Sequence, residues 1–396
     1  MIYFLFLLMT LYGIIQYDFY KSAVNTLYPI HMFSWRKKRL FYFLLIYMVL
    51  YTGFSYRVGT DVGRYIYEFE WIGWSDLNFD NLSLSHRQPM WMFIQLVSKS
   101  ILNSFVFFRV ISSFVVTFCI FKYIERQTPF VFTAILFYFI LMSFDVNFNI
   151  LRQSMAIACF VLSCSFLKNG DLLYSYLFIF MAIMFHNSAF VLLIIPLIKF
   201  INVKSYFNAS YIFMSIICLL ILFIPKDNIL FNYLMNSSDD SLSSLSQIYL
   251  DSEYGHSGFS LLKIIIYLCI FYFMASYYKL SGASNIDIAL FYIYIVCFIS
   301  SASIPIIGRI KYYFTIFYIL AACNAIFYFV NNNKSFVRLG RSVLYVILLL
   351  ILLYSPVKYY FILNPRVGIR NGAQYYPYYS VFNPQLFPER ESVVDY

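Results

Sequence analysis

Long apolar runs separated by short polar segments extend along most of this chain of 396 residues. A helix that crosses a bilayer needs roughly 20 apolar residues, within a range of about 17–25. The runs predict about twelve transmembrane helices, within a range of about 10–13. The predicted spans, in chain order, are 1–18, 38–56, 104–121, 128–146, 150–167, 172–186, 187–203, 207–225, 259–278, 286–304, 311–330 and 342–361. We therefore expect an all-α, polytopic integral membrane protein.

Two parts of this pattern need an additional argument. Segments 172–186 and 187–203 are short, and a single long helix in their place would reverse the orientation of everything downstream. We predict two helices, because Lys168 then lies in the same compartment as the lysines that follow the second helix. Segment 89–101 is too short and too polar to span, so an interfacial or re-entrant helix is predicted there.

The composition excludes a soluble protein. Hydrophobic residues make up 62% of the chain and charged residues only 12%, which leaves too little polar surface to cover a soluble domain of this size. The first segment has neither a basic start nor a small-residue cleavage site, so it is predicted to be a retained helix. The seven cysteines all fall in apolar segments, and their spacing predicts neither a disulfide framework nor a zinc site.

The distribution of positive charge along the chain predicts its orientation in the membrane. The basic cluster 36–39, "RKKR", is expected in the cytoplasm because positive residues mark the inner side of a membrane protein. The chain is then one membrane domain over 1–362, with outer loops at about 57–88 and 226–258 and an outer tail at 363–396. The net charge of +10 does not imply nucleic acid, since Lys and Arg in a membrane protein first record its orientation.

On this topology, polar and charged residues collect at the outer ends of the helices. They are Arg57, Asp61, Arg64, Arg152, Gln153, His186, Arg309, Lys311, Arg366 and Arg370. Cations are disfavoured on the outer side, so their number there predicts an anionic ligand. Arginine binds phosphate oxygens in bidentate fashion, and a helix N-terminus adds its own positive end.

A structural interpretation stays open for each of these residues. Arg152 could extend to lipid head groups, Asp61 could form an ion pair with a neighbouring arginine, and His186 could be a hydrogen-bonded interface histidine. The cations at helix starts could be ordinary anchors. The chain contains no nucleotide-binding, metalloprotease or hydrolase motif. The functional interpretation therefore depends on the residues sharing one side of the membrane.

At these positions the chain resembles the EpsG-like family of polysaccharide polymerases, which includes the O-antigen polymerases called Wzy. The resemblance rests on "YRVGTDVGRY", "NILRQSMAIA", "FHNSAFVLLIIPL", "GRIKYYF" and a tyrosine-rich tail, in that order, over about 57–380. The chain departs from the family at Gln88, where "HRQPMW" has Gln-Pro in place of a frequent Glu-Pro. No role is carried over to that position.

The resemblance implies a membrane glycosyltransferase on the outer face of the bacterial inner membrane, acting in lipopolysaccharide biosynthesis. Its donor and acceptor would be oligosaccharides linked to undecaprenyl diphosphate, with no metal or other cofactor. The expected partners are these lipids, the bilayer, a chain-length regulator and a flippase, and not nucleic acid. A capsule or exopolysaccharide polymerase and an O-antigen ligase remain alternatives. A flippase fits less well, because transporters place polar groups near the bilayer midplane.

The family motifs match six positions of this chain: Arg57, Asp61, Arg152, Gln153, His186 and Arg309. Individual roles are inferred from the chemistry, since a departing diphosphate needs cations and an attacking hydroxyl needs a base. The residues expected to bind substrate and diphosphate are Arg57, Arg64, Arg152, Gln153, Arg309 and Lys311. Asp61 or His186 is the expected catalytic base. Asp61 is favoured because nearby arginines would keep it ionised. Direct displacement would invert the anomeric configuration.

Overall fold

The computed structural model describes residues 2–19, 35–77, 88–222, 261–301, 305–332 and 370–388, and isolated positions between 346 and 361. Regular structure in this part of the chain is helical, which confirms the all-α part of the predicted fold class. The helices are α1 (Ile2–Gly13), α2 (Trp35–Gly53), α3 (Val62–Trp71), α4 (Pro89–Ile101), α5 (Phe105–Gln127), α6 (Val131–Tyr138), α7 (Leu151–Asn169), α8 (Leu172–Phe185), α9 (Phe207–Leu222), α10 (Leu261–Leu280), α11 (Asn285–Ser300) and α12 (Pro305–Asn332).

Three of the described helices are both long and apolar enough to cross a membrane: Phe105–Gln127, Leu151–Asn169 and Ile307–Val330. Seven shorter apolar helices accompany them. The described residues are therefore those of a helical membrane protein, whereas the predicted count of twelve spans is not confirmed. The predicted loop 226–258 lies outside the described residues, as does most of the predicted span 342–361.

The break predicted between 172–186 and 187–203 falls at His186. Helix α8 ends one residue earlier, His186 takes an extended conformation, and a 3₁₀-helix follows over Asn187–Phe200. With a rise of about 2.0 Å per residue, fourteen residues of 3₁₀-helix extend about 28 Å, close to the thickness of a hydrocarbon core. A 3₁₀-helix rises more per residue than an α-helix, so the same fourteen residues extend farther than they would in an α-helix.

Two wide turns connect helix α6 with helix α7. The eight residues of α6 are all buried, as expected for a helix that is apolar on every side. It continues into π-helical turns at Phe139–Ser143 and Asp145–Asn149, and α7 begins at Leu151. Such wide turns occur frequently at functional sites. Here they bring asparagine and aspartate side chains beside the start of α7.

The described residues divide into two compact units, Met1–Pro196 with Phe329–Tyr396, and Leu197–Tyr328. In the first unit, α5 packs against both α2 and α7, and α7 and α8 form an antiparallel hairpin. Gly170 closes this hairpin with φ +92°, a conformation that favours glycine. The hairpin therefore brings the end of α8 level with the start of α7. A single membrane domain over 1–362 stays a prediction.

The second unit is held by aromatic packing and by polar contacts at its helix ends. Ser284 and Asp287 form a capping box at the start of α11, which satisfies two backbone donors. Lys204 joins the same end by donating from Nζ to the Ala283 carbonyl at 2.9 Å. Aromatic rings of α9, α10 and α11 pack around Tyr211, whose ring centroid lies 5.4 Å from that of Tyr292.

Candidate functional site at the start of helix α7

Arg152 is the second residue of α7, and the helix begins without a side-chain cap because Ile150 occupies the N-cap position. The positive end of the helix dipole disfavours a cation there and favours an anion. The half-buried guanidinium donates from Nη1 to Oε1 of Gln88 at 3.2 Å, and its Cζ lies 5.8 Å from the centre of the Tyr65 ring. Both neighbours are neutral, so they orient Arg152 without neutralising it.

Tyr65 connects Arg152 with Asp61. It belongs to the buried face of α3, and its ring packs edge-to-face against Trp91 at 5.5 Å. Burial raises the pKa of Tyr65 to about 12; the charge of Asp61 raises it further, while the charge and hydrogen bonding of Arg152 oppose the rise. Tyr65 therefore stays a neutral phenol between the carboxylate and the guanidinium. We call Asp61, Tyr65, Gln88 and Arg152 the α7 site.

The loop between α2 and α3 carries two residues with left-handed backbone. Arg57 has φ +45° and Gly59 has φ +102°. A Cβ at Gly59 would lie 2.7 Å from the carbonyl oxygen of Phe148, so only glycine fits this close approach. The strained conformation of Arg57 is held by its surroundings, as is common where side chains are positioned for function. The half-buried Arg57 thus precedes Asp61 in a well-defined loop.

Asn149 ties this loop to the C-terminal tail. Its Oδ1 accepts the backbone N–H of Thr60 at 2.9 Å, and its Nδ2 donates to the Tyr375 hydroxyl at 2.6 Å. The Tyr375 hydroxyl in turn donates to Oδ1 of Asp145 at 2.6 Å. Gln374 accepts the Gly59 N–H through its carbonyl oxygen at 3.0 Å. Tail, loop and the π-helical turn before α7 therefore form one hydrogen-bonded node.

Asp61 and Arg64 lie on the exposed side of α3. Asp61 is the N-cap residue, and its side chain makes no capping hydrogen bond. Arg64 donates from Nε to Oε1 of Glu68 at 3.2 Å, with 70% of the arginine side chain exposed and 8% of the glutamate. Arg64 thus forms an ion pair with the next turn of its own helix.

His186 lies at the same end of the first unit because the α7–α8 hairpin brings it there. It is half-buried, and its Nδ1 accepts the backbone N–H of Ser188 at 3.2 Å and lies 2.7 Å from the Ser188 hydroxyl. An Nδ1 that accepts leaves the hydrogen of the neutral ring on Nε2. Gln153, beside Arg152 on α7, is buried at 1% exposure.

Arg109 is a buried cation that the sequence analysis did not select. It is 2% exposed and donates from Nε to the Thr52 carbonyl at 3.0 Å and from Nη2 to the Asn147 carbonyl at 3.3 Å. These contacts join α2, α5 and the turn before α7. The sequence signal for Arg109 is an arginine within an otherwise apolar run, which is the same kind of signal that selected Arg152.

Arg309 and Lys311 belong to the second unit. Helix α12 begins at Pro305, so both residues lie inside its first two turns and not at the start of a helix over 311–330, as the sequence predicted. Arg309 is exposed, and Nζ of Lys311 lies 5.7 Å from the centre of the Tyr312 ring. Their contribution to a shared site stays a prediction.

The tail cations of the sequence analysis fall on both sides of the described boundary. Arg370 is exposed at the N-cap of a short 3₁₀-helix, Asn371–Gln374. Arg366 lies outside the described residues. The tail contacts the loop before Asp61 and the turn before α7 through the neutral residues Gln374 and Tyr375, which belong to the tail that the sequence shows to be tyrosine-rich.

Apolar helices of membrane-spanning length, with charged and amide side chains collected at one end of the first unit, place the described part of the chain in the class of helical membrane proteins. The chain belongs to the EpsG family, whose family model matches residues 38–380. It is accordingly a membrane protein of polysaccharide biosynthesis. No curated protein and no solved structure was found to match the chain.

Proposed function

We propose that this protein is a polysaccharide polymerase that joins oligosaccharide repeat units carried on undecaprenyl diphosphate, at the outer face of the bacterial inner membrane. In its most specific form the proposal is an O-antigen polymerase of lipopolysaccharide biosynthesis. The observation that carries the proposal is Arg152, a cation at a helix N-terminus held by an amide oxygen and a phenol ring. Such a position favours an anionic ligand.

The diphosphate of the donor lipid is the anion that we assign to this position. Arg152 would bind its oxygens, and the positive end of α7 would stabilise the negative charge that develops as the diphosphate leaves. Arg57 and Arg64 follow α2 on the same side of the first unit and would bind further phosphate or sugar oxygens. Arg309 and Lys311 of the second unit are proposed to contribute in the same way.

Asp61 is the proposed base. The acceptor hydroxyl oxygen would attack the anomeric carbon of the donor, its proton would pass to the Asp61 carboxylate, and the bond from that carbon to the diphosphate would break. Attack from the side opposite the leaving group inverts the configuration. Asp61 is exposed and lies one helical turn before Tyr65, which contacts Arg152. His186, with its hydrogen on Nε2, would donate to the substrate. Gln153 is buried, so it is not proposed to contact the substrate directly.

The test is a deletion strain complemented with the native chain, with Arg152→Ala or with Asp61→Asn. Native protein should restore the full ladder of polysaccharide lengths. Both variants, expressed at native level, should leave a single repeat unit on each acceptor. A normal ladder of polysaccharide lengths from Arg152→Ala would show that Arg152 is not required for polymerisation.

The deletion strain by itself separates the polymerase from its alternatives. Loss of a polymerase leaves one repeat unit on each acceptor, whereas loss of a ligase leaves none. Loss of a flippase would trap lipid-linked units on the cytoplasmic face. Which surface polysaccharide is shortened decides between O-antigen, capsule and exopolysaccharide.

A further inference from the structure

Three aromatic side chains protrude from α3 and the 3₁₀-helix that follows it. Tyr67, Trp71 and Trp74 are 60%, 71% and 54% exposed. Tyr67 and Trp71 are one helical turn apart, with ring centroids 5.9 Å from each other. We call these three residues the aromatic strip. Its first two members and Arg64 share the exposed face of α3, opposite the buried face that contains Tyr65.

The aromatic strip starts next to the α7 site. At a rise of about 1.5 Å per residue, Trp71 lies about 15 Å along the helix from Asp61. The end of α3 is firmly held, because Nζ of Lys99 donates to the carbonyl oxygens of Glu70 at 2.8 Å and Ile72 at 3.0 Å. The strip is therefore a preformed surface that leads away from the proposed base.

The chemistry of this face differs from that of a face turned to lipid. The exposed positions within α3 are Arg64, Tyr67, Glu70 and Trp71, which are charged or aromatic and never aliphatic. On α8, a predicted span, the exposed positions are Leu173, Tyr174, Tyr176, Leu177 and Phe180, with no charge among them. Aromatic rings stack on the apolar C–H faces of sugar rings, and neighbouring charged groups bind sugar hydroxyls. The mixture on α3 suits a carbohydrate better than an acyl chain.

We propose that the aromatic strip binds the oligosaccharide of the acceptor, with sugar rings stacked on Tyr67 and Trp71 and hydroxyls bound by Arg64 and Glu70. The inference rests on the proposed polymerase function and identifies where the glycan lies. Binding there would deliver the terminal sugar hydroxyl to Asp61, while the diphosphate of the donor occupies the region around Arg152.

Kinetics of the purified full chain in phosphatidylethanolamine–phosphatidylglycerol vesicles test the proposal. Trp71→Leu keeps a large apolar side chain but removes the ring, and Trp71→Phe keeps a ring. We expect Trp71→Leu to raise the acceptor KM about 3- to 10-fold with little change in kcat, and Trp71→Phe to stay within about 2-fold of the native value. If the native chain and Trp71→Leu have equal KM values while Arg152→Ala is inactive, binding of the acceptor glycan by the aromatic strip is refuted. The proposed polymerase function would not be contradicted by that result.

Fluorescence distinguishes glycan from membrane as the occupant. The probe is the repeat-unit oligosaccharide of the host, released from its lipid, and the signal of Trp71 is the difference between the native chain and Trp71→Phe. We expect this signal to change with the oligosaccharide and to resist quenching by brominated acyl chains. Phe180→Trp on α8 is the lipid-facing control and should be quenched. Quenching of Trp71 by brominated lipid, without response to the sugar, would show a membrane anchor and refute the proposal.

Discussion

The two ends of helix α7 place a cation in closely similar surroundings. At the start, Arg152 donates to the side-chain oxygen of Gln88 at 3.2 Å. At the other end, Lys168 donates to the side-chain oxygen of Gln127 at 2.6 Å. Each cation also lies beside a tyrosine ring, at 5.8 Å for Arg152 and 5.2 Å for Lys168. Each cation therefore donates to a glutamine side-chain oxygen and lies near the face of a tyrosine ring.

The helix itself makes the two ends differ. A cation in the last turn interacts favourably with the negative end of the helix dipole, so Lys168 is stabilised by the helix that carries it. Arg152 meets the positive end and gains no such stabilisation. Similar neighbours therefore have different consequences for a cation at the two ends of a helix. Lys168 is stabilised by its position in the fold, whereas the position of Arg152 favours an anionic ligand.

The largest expected effect is on catalysis. Arg152→Ala should lower the rate of polymerisation by about 10²- to 10³-fold, the usual consequence of losing a group that stabilises the departing charge. Lys168→Ala should stay within about 3-fold, because its contacts only support the fold. The rates are measured on purified protein with lipid-linked repeat units. Equal losses in the two variants would mean that both ends are structural.

The loop beside Arg152 should tolerate no side chain at Gly59. Gly59→Ala places a Cβ 2.7 Å from a backbone oxygen at φ +102°, which should cost about 2–4 kcal/mol of unfolding free energy and most of the activity. Gly282→Ala is the matched control, since φ is +91° and nothing lies within 4 Å of the added atom. It should cost only about 1 kcal/mol. Thermal unfolding in detergent compares the two, and equal costs would remove the clash from the explanation.

The tail should support the start of α7 through one hydroxyl group. Tyr375→Phe removes the hydrogen bonds to Asn149 and Asp145, and about 1–3 kcal/mol of stability should be lost. We expect the polymerisation rate to fall about 3- to 10-fold as Asn149 loses its anchor. Tyr376→Phe, in a side chain that is 67% exposed, is the control and should change neither quantity. An active, fully stable Tyr375→Phe would show that the node does not position the site.

The smallest effect is a difference in stability between the two ends of α7. Arg152→Gln and Lys168→Gln each lose a hydrogen bond to a glutamine and a contact with a tyrosine ring, so these losses largely cancel when the two variants are compared. The helix dipole does not cancel, because it disfavours a cation at the N-terminus and favours one at the C-terminus. Arg152→Gln should therefore lose about 0.6–2 kcal/mol less unfolding free energy than Lys168→Gln, as measured by denaturation at low ionic strength. Equal losses in the two variants would contradict the role given to the dipole.

Apolar runs were sufficient to predict most of the helices. The predicted span 150–167 corresponds to helix Leu151–Asn169, and 104–121 corresponds to helix Phe105–Gln127. They agree because burial of apolar side chains determines both the apolar pattern of the sequence and the packing of the helices. The sequence also located Arg152 and Asp61 as charges at the margins of apolar runs. The length and polarity of a segment do not by themselves determine how many of the helices cross the membrane.

The side chains that hold the site could not be predicted in this way. Gln88 and Arg152 are 64 positions apart in the chain, and Asn149 and Tyr375 are 226 apart. Periodicity reports which face of a helix is buried but not which distant residue meets it. The only local signal was the Gln-Pro pair at Gln88, where a departure from the family pattern coincides with the residue that orients Arg152.

The proposed function requires the start of α7 to bind a lipid diphosphate. Binding of a polyprenyl diphosphate to the purified protein, with polyprenyl monophosphate as reference, tests this requirement without catalysis. We predict that Arg152→Ala weakens the diphosphate affinity about 10-fold or more, the value of one or two charge-assisted hydrogen bonds, while Lys168→Ala leaves it unchanged. Equal affinities of the native protein and Arg152→Ala for the diphosphate would contradict the account.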